Sequence, residues 1–183
     1  MTRSVINLTA TPEDHRIARL AAFAIGLSLV EATLPSPLPG VKPGLANIVT
    51  LLVLHRFGLS AAVWVSVLRV VAGSLIFGTF LTPSFVLSFC GAMLSLAALA
   101  AASRLPGALF GPVSHSILAS FAHIAGQLAV VYLWLIPHAG LAYLLPIFAA
   151  AALLFGTVNG LIAARLLGAE EESAEAETAP LAT

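Results

Sequence analysis

Leu59-Ser60-Ala61-Ala62-Val63-Trp64-Val65-Ser66-Val67-Leu68-Arg69-Val70-Val71-Ala72-Gly73-Ser74-Leu75-Ile76-Phe77-Gly78-Thr79-Phe80 runs for 22 residues with one charge, Arg69, at its middle. As a helix rising ~1.5 Å per residue, it reaches ~33 Å, enough to cross the ~30 Å hydrocarbon core of a bilayer. Similar apolar segments lie at 17–34, 44–57, 83–103, 113–136 and 141–167. Five of the six are long enough to span; 44–57 is short. The chain of 183 residues is 60% hydrophobic and 9% charged, with a mean hydropathy of +1.04. A soluble domain carries roughly 25% charged residues, so this chain cannot cover a water-facing surface. The expected fold is an all-α integral membrane bundle of six transmembrane helices over 17–167. A polar segment, 1–16, in which Pro12-Glu13-Asp14 resembles a helix start, precedes it, and a disordered acidic tail, 168–183, follows.

The short second segment follows Pro35-Ser36-Pro37-Leu38-Pro39-Gly40-Val41-Lys42-Pro43. Four prolines in nine residues exclude a helix. At membrane depth such a backbone persists only when buried in protein or lining a cavity, which makes this loop a candidate lid or plug. Val30-Glu31-Ala32 loosely fits a signal-peptidase pattern. The first apolar stretch is long, however, and the others already need a membrane, so it is expected to be retained.

Basic residues set the orientation. With six spans and an inside N-terminus, Arg3, Arg16, Arg19, Arg56, Arg104 and Arg165 fall at the cytoplasmic side, and Lys42 alone falls outside. The positive-inside rule therefore predicts that both termini are cytoplasmic. Glu170, Glu171, Glu172, Glu175 and Glu177 lie in a tail without apolar periodicity, which reads as solvated.

Polar groups inside the spans are the candidate functional residues. A charge such as Arg69 at mid-span costs ~3 kcal/mol or more, so it needs a partner or a wet cavity. One reading pairs it with Glu31, the only acidic residue in a span, or with carbonyls of a broken helix. The other has it meet an anionic ligand through planar two-point contacts. Ser116, Ser120, His123 and Gln127 fall at helical spacing on the fifth span and form one polar stripe. The stripe serves either a helix-to-helix hydrogen bond or a cavity wall. Asn159 lies between Gly156 and Gly160, a small-xxx-small pair that reads as close helix packing with an amide bridge. Ala18, Ala22 and Gly26, and again Ala21, Ala24 and Ser28, put small residues on faces of the first helix where another helix can approach. Trp64, Trp134, Tyr132 and Tyr143 sit toward span ends as interfacial aromatics do.

Several chemistries lack their residues. Asp14 is the only aspartate, so no paired-carboxylate magnesium site can form, and no phosphate-cradling glycine loop with its lysine is present. The lone Cys90 excludes a disulfide framework or thiolate zinc site. Scattered basic residues at net charge zero leave no nucleic-acid footprint. No catalytic residue, metal or cofactor is expected, and the chain does not read as an enzyme.

The ordered motifs Pro39-Gly40-Val41-Lys42-Pro43-Gly44-Leu45-Ala46-Asn47, Leu68-Arg69-Val70, Gly73-Ser74-Leu75-Ile76-Phe77-Gly78, Ser88-Phe89-Cys90-Gly91-Ala92-Met93-Leu94-Ser95 and His123-Ile124-Ala125-Gly126-Gln127 resemble the Gx transporter family, over about residues 20–167. That family also carries the label heptaprenyl diphosphate synthase component I, whose catalytic implication the lack of aspartates opposes. Its members resemble the substrate-binding (S) components of energy-coupling factor (ECF) transporters, bacterial inner-membrane uptake systems. The resemblance implies a six-helix bundle that captures a solute under the loop between its first two helices. It implies a membrane coupling subunit packed on the small-residue face of Ala18, Ala22 and Gly26, and cytoplasmic ATPases that drive the cycle. It also implies a ligand cavity formed by Lys42, Asn47, Arg69, His123 and Gln127. Pro43 departs from the family's usual residue and stiffens the loop. The expected solute is small and anionic, an isoprenoid precursor or a vitamin- or flavin-like compound. The alternative is a non-transporting accessory or biogenesis factor for a redox or isoprenoid/quinone pathway.

Overall fold

The computed structural model describes residues 10–33, 44–104 and 111–178, and no strand occurs among them. The proline-rich loop, with Lys42 and its expected role as a lid, lies outside these residues. Helix α1, Pro12–Thr33, begins on a capping box. The Thr11 N–H donates to the Asp14 carboxylate at 2.8 Å, and the Asp14 N–H donates to the Thr11 hydroxyl at 3.2 Å. The backbone bond from Thr11, then the hydroxyl bond, holds the Asp14 carboxyl below the usual carboxylate range. The cap starts the helix at Pro12, inside the segment expected to precede the bundle.

Helix α2, Leu45–Ile76, is interrupted at Gly58, whose φ of 80° and ψ of −178° belong to a region open in practice only to glycine. The break falls at the boundary that the sequence places between its second and third apolar segments. Asn47 and Arg69 lie eleven residues on either side of Gly58. In an unbroken helix that separation is ~33 Å. Here the Arg69 guanidinium donates to Asn47 Oδ1 at 3.2 Å, so the two arms fold back alongside each other. Val49 and Val53 of one arm share a core with Ala61, Ala62 and Val65 of the other and with Ala21 and Ala24 of α1.

Helix α3, Pro83–Ala102, and helix α4, Pro112–Val130, each open on a proline, where its missing N–H is no loss. A widened turn at Val131–Leu135 ends α4, a short 3₁₀ turn at Ala139–Leu144 follows, and α5 spans Leu145–Thr178. Helix α5 thus continues into the segment expected to be a disordered tail. Its alanines and glutamates there are good helix formers, which removes the reason to stop at Leu167.

Helix α1 packs along α2, α3 along α4 and α4 along α5, while α2 closes the bundle against α3 and α5. Side-chain sizes are distributed inside out for a soluble protein. Ala24, Ala46, Ala62 and Ala163 are fully buried, whereas Leu75, Leu133, Trp134 and Leu154 are more than half exposed. Small residues bring backbones together inside, and large apolar ones face outward, as a lipid solvent requires. Tyr132, Trp134 and Tyr143 are exposed around the α4–α5 connection, a suitable place for an interfacial belt. Among the described residues four helices are long and apolar enough to cross a membrane: Leu45–Ile76, Pro83–Ala102, Pro112–Leu135 and Ala139–Ala169. The first counts both arms of α2 as one. Helix α1 is not among the four, because Arg16, Arg19 and Glu31, or the charges of its first turn, leave at least three charges in every 18-residue stretch of it. The chain is a multi-pass membrane protein.

Candidate functional site

Between α1, both arms of α2 and helices α3 to α5 lies a cavity of about 570 Å³. Its rim, at Ala32, Phe77 and Ser84, is exposed at the end that carries the α2–α3 turn. Four of the five expected ligand residues, Asn47, Arg69, His123 and Gln127, line it, and Lys42 lies outside the described residues. On a 1.5 Å rise, Asn47 and Arg69 stand ~16 Å above the Gly58 turn, at mid-depth in the bundle. They form the cavity's polar floor.

The Arg69 guanidinium spends one N–H on Asn47 Oδ1, and its Nε is buried without a hydrogen-bond partner. Among the described residues no carboxylate forms an ion pair with it. Glu31 instead accepts the backbone N–H of Gly44. Asn159 donates to the carbonyl of the same Gly44 at 3.3 Å. Gly44 sits at φ 74°, the left-handed conformation that lets α2 begin here after the proline-rich run. One backbone unit thereby ties the ends of α1 and α2 to the middle of α5.

His123 reaches the cavity because α3 and α4 nearly touch. A Cβ on Gly126 would lie 2.8 Å from the Cys90 carbonyl oxygen, and one on Gly91 would lie 2.9 Å from His123 Nε2. The glycines remove the spacing that side chains would impose. Gln127 approaches His123 Nε2 at 3.3 Å, one helical turn away, and His123 Nδ1 is buried without a partner. The polar stripe of α4 divides. Ser120, His123 and Gln127 line the cavity, while Ser116 is buried near Gly160, where an added Cβ would lie 2.9 Å from its own. Gly156 and Gly160 make the close α4–α5 crossing expected of their spacing, and Asn159 between them, 2% exposed, directs its amide to the Gly44 carbonyl at the start of α2.

Asn159 also lines the cavity, as do Glu31, Ser74 and Ser88. The sequence names none of these four as ligand residues. Glu31 and Asn159 carried a signal as polar groups in apolar spans, but their meeting point, Gly44, could not be inferred without the fold. Phe77, Phe85 and Phe155 form the apolar walls.

The two small-residue faces of α1 separate. Ala21 and Ala24 are buried in the core, and Ala18, Ala22 and Gly26 face outward, with nothing within 4 Å of a Cβ built on Gly26.

No curated protein and no solved structure matches the chain. The family model described as heptaprenyl diphosphate synthase component I matches residues 20–166, most of the bundle, and the chain belongs to that family.

Proposed function

We propose that the protein is the substrate-capturing membrane subunit of an energy-coupled uptake system, similar to an ECF S component, in the inner membrane of a bacterium. It crosses six times, with α1 and the two arms of α2 as three of the spans and both termini inside. The antiparallel arms of α2 support that count, and the distribution of arginines supports the direction. The chain binds a small anionic solute rather than transforming it; a membrane coupling subunit and cytoplasmic ATPases supply the energy.

One observation carries this reading. A guanidinium at mid-depth in a lipid-facing bundle lines a cavity of about 570 Å³, while its Nε is buried without a hydrogen-bond partner. Burying a cation costs several kcal/mol unless something answers its charge. The hydrogen-bond partner of Arg69 is a neutral amide, and Glu31, on the same cavity, is engaged by the Gly44 N–H instead of by a direct ion pair. A visiting anion answers the guanidinium. Asn47 and Gln127 would orient that anion, Lys42 would add charge from the loop, and the exposed face of Ala18, Ala22 and Gly26 is open to a coupling helix.

Affinity purification of the full chain from its native membrane tests the proposal. A coupling subunit and ATPases should co-purify, and proteoliposomes holding the complex should accumulate solute when ATP is supplied on the ATPase side. Co-purification of a redox complex alone, with no ATPase, would favour the accessory-factor reading, which uses the same α1 face but needs no ligand.

A further inference from the structure

We infer that the solute carries a positive group beside its negative one: a zwitterion of amino-acid type, with its carboxylate on Arg69 and its ammonium on Glu31. This rests on the uptake reading and adds a cationic end to its solute.

A visiting anion explains Arg69 and leaves Glu31 unexplained. The Glu31 carboxylate is 7% exposed, lines the cavity and accepts the Gly44 N–H. Among the described residues it forms no ion pair and takes no other hydrogen bond. Withdrawing a carboxylate from water costs several kcal/mol, of which one neutral N–H answers only a part. Arg69 lines the same cavity and, among the described residues, bonds only to Asn47. With His123 neutral, Arg69 is the only cation and Glu31 the only carboxylate of the described lining, so its charges sum to zero. A ligand with one charge of each sign meets both and keeps that balance. A simple anion would satisfy Arg69 while repelling Glu31 across the same space.

The two charges stand at depths that one small molecule can bridge. Glu31 is anchored on Gly44 and Arg69 on Asn47, the first and last residues of the turn that opens α2. Three helical residues rise ~4.5 Å, so the carboxylate's anchor lies about one turn nearer the rim than the guanidinium's. An ammonium toward the rim and a carboxylate at the floor span that step. At the floor, Arg69 Nε and His123 Nδ1 are both buried without a partner, and Gln127 stands beside His123.

The walls set the body. Phe77, Phe85 and Phe155 line the cavity, and Phe77 stands at its rim, where an aromatic face suits a cation as well as an apolar group. The hydroxyls of Ser84, Ser88 and Ser120 line it too and make no hydrogen bond among the described residues. That mixed wall suits an aromatic body with a polar edge.

The test is calorimetric titration of the purified full chain in detergent with L-phenylalanine, L-tyrosine and L-tryptophan. Each is matched by its carboxamide, which keeps the amine, and by the arylpropionate that lacks it. At least one amino acid should bind saturably, and both of its singly charged analogues about tenfold more weakly. Glu31→Gln keeps an acceptor for the Gly44 N–H and should make the arylpropionate bind at least as well as the amino acid. Arg69→Gln should do the same for the carboxamide. Both variants should keep the wild-type elution profile; the wild-type ranking decides by itself should either misfold. The inference is overturned if an arylpropionate binds the wild type as well as its amino acid, if a folded Glu31→Gln leaves the ranking unchanged, or if no amino acid binds. An arylpropionate preferred by a protein that still co-purifies with ATPases leaves the uptake reading standing and removes only the cationic end. Loss of ATPases and of all small-molecule binding removes the uptake reading itself.

Discussion

Single residues carry the chemistry of this bundle, and Gly44 shows how narrowly. Its N–H goes to Glu31, its carbonyl receives Asn159, and its φ is 74°. A Cβ there would lie 3.1 Å from Asn47 Nδ2 and 3.4 Å from Asn159 Nδ2. Gly44→Ala should therefore cost about 1–2 kcal/mol from the left-handed backbone alone. It should also push Asn47 off Arg69. Thermal unfolding in detergent and ligand titration should both register the change; an unaltered midpoint would mean that the α2 start relaxes freely. Gly91→Ala acts on the other wall. Its methyl would come within 3.0 Å of the His123 carbonyl oxygen, which cannot swing away as a side chain can. The expected result is weaker ligand binding from a displaced His123 together with a lower unfolding midpoint.

Helices and turns decide where those residues meet. Gly58 is the clearest case, because its φ of 80° and ψ of −178° reverse the chain inside what is otherwise one 32-residue helix. Gly58→Ala should destabilise the protein by about 1–3 kcal/mol, the usual cost of holding a side-chain-bearing residue in such a region. It should also separate Asn47 from Arg69. Gly160→Leu should disrupt the α4–α5 crossing, since even a Cβ there would lie 2.7 Å from the Val113 Cα. At this scale the sequence was largely legible. Apolar runs bounded by Pro83 and Pro112 announce α3 and α4, and the spacing of Gly156 and Gly160 announces a close helix pair. The start of α1 was legible from Pro12-Glu13-Asp14, a helix-start pattern upstream of the apolar stretch, and the helix begins at Pro12. The length of α5 was missed because hydropathy weighs charge, and a run of alanine and glutamate is polar without being a poor helix former. Within the site, Arg69 and His123 stand out as costly groups in apolar spans. The ties of Glu31 and Asn159 to Gly44 do not, because a contact between residues 115 apart follows from packing and not from local pattern.

The described part of the molecule is a bundle whose buried apolar residues are mostly alanine, whose exposed large side chains are mostly apolar, and which holds a cavity of about 570 Å³. The proposed direction in the membrane rests on the arginines, so on that proposal a cysteine placed at Ser103, in a Cys90→Ser background, should react with an impermeant maleimide only from the cytoplasmic side. One placed at Ala139 should react only from the outer side; the opposite pattern would invert the proposed topology. The central claim is that Arg69 is buried for the sake of a visiting anion. Native mass spectrometry of the purified wild-type chain and of Arg69→Gln, both incubated with the same metabolite extract, tests it most directly. The account predicts a small acidic molecule retained by the wild type and absent from a folded Arg69→Gln. A wild-type spectrum without any bound solute, or the same molecule held equally by both proteins, would contradict it.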